Sequence, residues 1–173
     1  MKQRYLFCLL LVCVFSGFTS QANANKITDK ADKQTSTITV EHAYIRATIP
    51  GTIHSSAYMS IENKGNEIVM LLSASSDVSE RIEIHQHSMV NGMMRMRKVE
   101  SIIIEPKERV TLQPSGLHLM IFDVKKPLKS QQEVEITLNF SNNESVTMPM
   151  PVYNPIQERA AQKNVPTMHK HHH

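Results

Sequence analysis

The sequence predicts an all-β protein, a sandwich or a barrel, on three observations. Between Thr37 and about Val152 the apolar residues recur mainly with a period of two, the spacing of a strand with one buried face. Turn formers interrupt the chain at short intervals: Pro50-Gly51, Asn63-Lys64-Gly65, Asn91-Gly92, Pro106, Pro114-Ser115-Gly116 and Ser141-Asn142-Asn143. No long stretch carries the 3.6-residue period of a packed helix, and short strands at this spacing close on themselves or stack as two sheets.

Nine strands follow from this pattern, at residues 38–47, 56–63, 68–74, 81–87, 94–104, 108–112, 117–124, 133–140 and 145–150. The eighth is the clearest. Val134, Ile136, Leu138 and Phe140 alternate with polar neighbours, so one face meets the core and the other meets water. Met59 and Met70 sit in strand-like apolar patterns and are expected in the core.

The flanks are of a different kind. Lys2 and Arg4 precede an apolar run of about a dozen residues, and Ala22-Asn23-Ala24 forms a small-x-small cleavage signal. Residues 1–24 therefore read as a signal peptide, too short in its apolar part for the roughly 20 residues of a membrane span. No second such run occurs, so no span is expected in the mature chain, and a periplasmic location follows. Residues 25–36 read as a flexible arm, 37–152 as the folded domain and 153–173 as a flexible tail in which Gln157–Lys163 is able to make a helical turn.

Removing Lys2 and Arg4 takes the formal charge from +3 to +1, because residues 1–24 hold no acid. A nearly neutral chain without a basic cluster is not a nucleic-acid binder. Both cysteines, Cys8 and Cys13, lie in the signal segment, which leaves the mature chain without thiol or disulfide. With 11 methionines and 9 histidines, the composition is instead rich in thioether and imidazole.

Two places concentrate these groups. In Leu117-His118-Leu119-Met120-Ile121, alternation puts His118 and Met120 on one face and the aliphatic residues on the other. Two such side chains, about 6.5–7 Å apart at Cα, can lean on one ion. In Arg81-Ile82-Glu83-Ile84-His85-Gln86-His87 the isoleucines mark the buried face and His85 and His87 the opposite one. A turn over Ser88–Gly92 leads to Met93-Met94-Arg95-Met96, a returning strand loaded with thioethers. Met89, Met93 and Met94 either shield a metal or pack in the core or at an edge.

Soft thioether sulfur with borderline imidazole favours Cu(I) over Zn(II), Ca(II) or Mg(II). A blue-copper electron-transfer site needs a cysteine ligand, which the mature chain lacks. No nucleophile grouping or hydrolytic metal site is evident, so no catalysis is expected. The alternative from another class is a β-sandwich docking module whose methionine-rich edge meets a partner.

The spacing His85, ten residues, Met96, twenty-one residues, His118, one residue, Met120 resembles the H-x(10)-M-x(21)-H-x-M signature of the PCu(A)C family of periplasmic copper chaperones. Ala43–Gly51, Ser56–Asn63, Gly92–Met96, Pro114–Met120 and Pro127-Leu128 are also similar to that family. Gln86 departs from it, since many members carry methionine there, and the segment before the His-x-Met has fewer glycines. The resemblance implies a cupredoxin-like Greek-key β-sandwich that binds Cu(I) through His85, Met96, His118 and Met120. It further implies delivery to an acceptor such as the CuA centre of a cytochrome c oxidase subunit or another copper chaperone; storage or resistance is the alternative within the family. His87 is a candidate accessory ligand. So is the tail, with Met168, His169, His171, His172 and His173 suited to Cu(II). The tail is either a tag remnant or native, and the retained signal segment and the interrupting Lys170 favour the second.

Overall fold

The computed structural model describes residues 36–90 and 92–163. The expected signal segment, most of the expected arm, Asn91 and the histidine tail lie outside the described residues.

Ten strands and one helix form within them: β1 Ile38–Arg46, β2 Ser55–Asn63, β3 Val69–Ser75, β4 Arg81–Val90, β5 Met93–Lys98, β6 Ile102–Ile104, β7 Arg109–Leu112, β8 Leu117–Phe122, β9 Glu133–Phe140, β10 Ser145–Tyr153 and α1 Pro155–Lys163. The strands follow one hydrogen-bonded path, β5-β4-β8-β2-β1-β10-β9-β3-β6, with β7 also on β2. Its two ends do not pair, so the path is open rather than a closed barrel. The halves join where β1 and β10 run parallel, at Ile45↔Val152 and Arg46↔Tyr153. Both contribute to one core that includes Ile45, Ile61, Leu119 and Ile121 from one half and Leu71, Ile104, Ile136 and Leu138 from the other. The all-β architecture read from the period of two is the one observed.

Three elements differ from the sequence pattern for physical reasons. The single strand expected over 94–104 is two strands. β5 pairs with β4, while β6 pairs with β3 in the other half, so the chain leaves one sheet for the other at Val99–Ser101. Periodicity sees only local alternation and is blind to such a change of partner. The turn expected over Ser88–Gly92 is also tighter. Val90 pairs with Met93, leaving two residues between them, and Gly92 takes φ +75°, which glycine adopts without steric cost. Met70 is half-buried rather than core, because Val69 and Leu71 take the inward positions of β3.

The segment expected as a flexible tail from residue 153 is folded as far as Lys163. Asn154 caps α1: its side-chain oxygen accepts from the backbone N–H of Ile156 and Gln157, each at 3.0 Å, and the Gln157 side chain accepts from Asn154 N–H at 3.0 Å. This reciprocal pair, with Pro155 at the first helical position, is a capping box. The helix is then tied down by Glu158, whose carboxylate receives Arg46 through Nε at 3.0 Å and through the terminal nitrogen at 2.5 Å. Arg46 thereby ties the end of β1 to α1.

Breaking this bidentate pair leaves a charge with no partner in a half-buried place. We expect Glu158→Ala to cost about 2 kcal/mol in urea unfolding, below the 3–5 kcal/mol of a fully buried pair because Arg46 is partly solvated. Loss of helical signal over α1 should accompany it.

Candidate metal centre

The histidines and methionines singled out above lie on the outward face of the β5-β4-β8 half of the path. The register decides this. Ile84 pairs with Leu119 and Ile82 with Ile121, and all four sit in or against the core. Their neighbours at alternate positions must then point outward: Glu83 pairs with Met120 and His85 with His118.

His118 is the most enclosed, with 3% of its surface exposed. The rings of His87, His85 and Tyr58 surround it, with centroids at 5.1, 5.9 and 6.3 Å. Its Nδ1 lies 3.1 Å from the Gly116 carbonyl oxygen. A carbonyl only accepts, so Nδ1 carries the proton and the lone pair is left on Nε2. Burial also pushes the His118 pKa below the ordinary histidine value, against a smaller opposing effect of that hydrogen bond. A neutral imidazole with one nitrogen fixed by a second partner and the other free is the form that ligates a metal.

His85 is held similarly from below. Its Nε2 donates to the Glu83 carboxylate at 2.9 Å, and this hydrogen bond keeps Glu83 below the usual carboxylate range. Its Nδ1 is buried and has no hydrogen-bond partner, and the same is true of Nδ1 in His87. Buried nitrogens are rarely left in this state unless a ligand or water is to meet them. Met120 is half-buried next to them, and its sulfur accepts from the Ser56 hydroxyl at 3.9 Å.

Met96 stands apart. The hairpin register places it directly across from His87, while His85 pairs with Lys98. It lies one strand further out than His85 and is 47% exposed on β5, whose residues are all exposed. Met89, Met93 and Met94 are likewise exposed, so they pack no core. The structure thus brings His85, His118 and Met120 together on adjacent strands, with His87 beside them and Met96 at the rim. Met168, His169 and His171–His173 lie outside the described residues. Among the described residues, no three His, Cys, Asp or Glu side chains form a group able to hold a metal ion without the thioethers.

Ser56, Tyr58, Glu83 and Phe122 complete the surroundings, and no motif in the sequence marks them. Phe122 lies tilted at 5.6 Å from the His85 ring and receives His54 edge-on at 5.4 Å. Alternation alone points to Glu83, two residues from His85 on β4, and to Phe122, two residues from Met120 on β8. His42, at φ +53° in the β1 bulge, and His54 stay outside the cluster.

Residues 38–152 match the LpqE-like family, which its description makes a lipoprotein family. A Leifsonia xyli subsp. xyli protein, Lxx21020, also named as a lipoprotein, is 26% identical over 121 residues, or 69% of this chain and 72% of that one. The copper-bound PCuAC domain from PmoF2 superposes with a TM-score of 0.60 at 25% identity, over 69% of this chain and 95% of that domain. The Cu(I) form of DR1885 from Deinococcus radiodurans in solution gives 0.57 at 26% identity, over 68% and 78%.

The environment of His118 has a measurable consequence in the metal-free protein. Its imidazole proton resonance should titrate with a midpoint below the ordinary histidine value. Since the folded state holds the proton less well than the unfolded chain, this group's contribution to stability is complete above about pH 6.5 and is lost as pH falls toward the folded-state value. An NMR titration followed by unfolding between pH 7 and 5 checks both.

Proposed function

The chain belongs to the LpqE-like family, within the PCuAC copper-chaperone fold, and from that premise we propose that it binds one Cu(I) through His85, Met96, His118 and Met120 and hands it to an acceptor protein outside the cytoplasm. The observation that carries this reading is the direct cross-strand pairing of His85 and His118. Their rings are 5.9 Å apart, and each keeps a nitrogen free of hydrogen-bond partners or protons. Two imidazoles sharing one ion have centroids no more than roughly 6.4 Å apart, given metal–nitrogen bonds of about 2.0–2.1 Å.

The donors support Cu(I) in particular. Met120 lies on the same face of β8 as His118, and Met96 stands at the rim on β5, across from His87. Two thioethers and two neutral imidazoles bring no charge to the ion and release no proton on binding. Such bonds exchange one at a time with the ligands of a recipient, which suits delivery. Capture and hand-over require no catalytic group. The acceptor proposed is the CuA centre of cytochrome c oxidase or a chaperone upstream of it. Export rests on the signal segment and on relatives named as lipoproteins. No helix among the described residues is long and apolar enough to cross a membrane.

Anaerobic titration against a competing Cu(I) chelator should show one tight site. His118→Ala and Met120→Ala should each weaken it by about a hundredfold, roughly 2.7 kcal/mol, with circular dichroism unchanged. Wild-type affinity in both variants would refute the ligand set, and the absence of any tight site would favour the docking module. Deleting residues 167–173 should remove a second, weaker Cu(II) equivalent while sparing the Cu(I); an unchanged Cu(II) stoichiometry sinks the tail's role.

A further inference from the structure

The hairpin register departs from the four-ligand picture at one point, and His87 is that point. Met96, the outermost of the four, is the cross-strand partner of His87 and not of His85. Adjacent strands lie about 4.8 Å apart, so Met96 on β5 is nearly 10 Å from the β8 backbone that carries His118 and Met120, with β4 between. His87 fills that gap. Its ring is closer to His118 than the His85 ring is, 5.1 Å against 5.9 Å. Its backbone N–H is pinned to the Gly116 carbonyl at 3.2 Å, the same oxygen that orients His118. Its Nδ1 is buried without a hydrogen-bond partner, which an ordinary strand-end histidine in water would not show.

We propose that His87 and Met96 form a landing station for Cu(I), a two-ligand stop on the path between solvent and the deeper His85, His118 and Met120. This rests on the Cu(I) reading above. Copper arriving from a carrier first gains bonds to the Met96 sulfur and the His87 nitrogen as the carrier's ligands leave. The His118 nitrogen then takes the place of His87, followed by His85 and Met120, while Met96 stays bound. That exchange makes one lone-pair bond and breaks one, and His85 and Met120 then each add a bond, so the ion goes from two ligands to four. The copper remains Cu(I), and no electron or proton moves, because all the donors are neutral. Release retraces the same steps. Met89 and Met94, exposed on the same face of the hairpin, extend the soft surface outward from this station.

The experiment uses the full chain and, as a background, the chain with His169, His171, His172 and His173 replaced by alanine. Cu(I) exchange with bicinchoninate is followed anaerobically by stopped flow, in the uptake and release directions. His87→Ala should slow both by about tenfold while shifting the dissociation constant less than threefold, and His87→Met should restore the rates. Unchanged rates in His87→Ala would overturn the station. So would a loss of affinity as large as that in His85→Ala, since His87 would then be a resident ligand. A wild-type chain with no tight Cu(I) site would overturn the ligand set and the station together.

Discussion

Everything at the metal centre depends on how β4 and β8 are aligned. Ile84 against Leu119 and Ile82 against Ile121 lock the two strands through the core. The same register stacks His85 on His118 and Glu83 on Met120 outside it. A slip of one residue would turn the aliphatic side chains to water and the imidazoles into the core. Burial of the isoleucine and leucine side chains, about 1.5–3 kcal/mol each, therefore enforces the placement of the proposed ligands on the other face.

That arrangement asks a polar, metal-seeking face to be both enclosed and reachable. The enclosure comes from aromatic rings rather than aliphatic packing. Tyr58 stands beside His118, Tyr44 leans on Tyr58 at 5.1 Å, and Tyr153 stacks on Tyr44 at the same distance. Arg46 lies over the Tyr58 ring and is itself fixed by Glu158 of α1. The helix at the end of the domain is thus linked, through one arginine and a row of tyrosines, to the wall behind the buried histidine. Access lies on the opposite side, where β4 outruns β8 and continues with β5 as an exposed hairpin. Met89, Met93, Met94 and Met96 of that hairpin are exposed, with His87 beside them.

How far the sequence foretells this varies by element. The strand over 133–140 is legible because both its faces have a constant environment along its whole length. The 94–104 segment is not, because its two halves belong to different partners. The pairing of His118 with Met120 on one face is legible, since it needs only alternation. The facing of His85 and His118 needs the registration of strands more than thirty residues apart, and local pattern carries no information on it. The helix after Tyr153 is half-legible: Asn154-Pro155 and Gln157 are capping residues, yet what holds the helix is Arg46, far away in sequence.

The sequence by itself determined the all-β class, the absence of cysteine from residues 36–163 and which soft side chains are on offer as proposed donors, because composition and period are properties of the chain alone. The tertiary structure decided which donors meet. It buried His118, left Met96 at the rim and put His87 between them, because cross-strand neighbours are set by the core register and by where each strand ends.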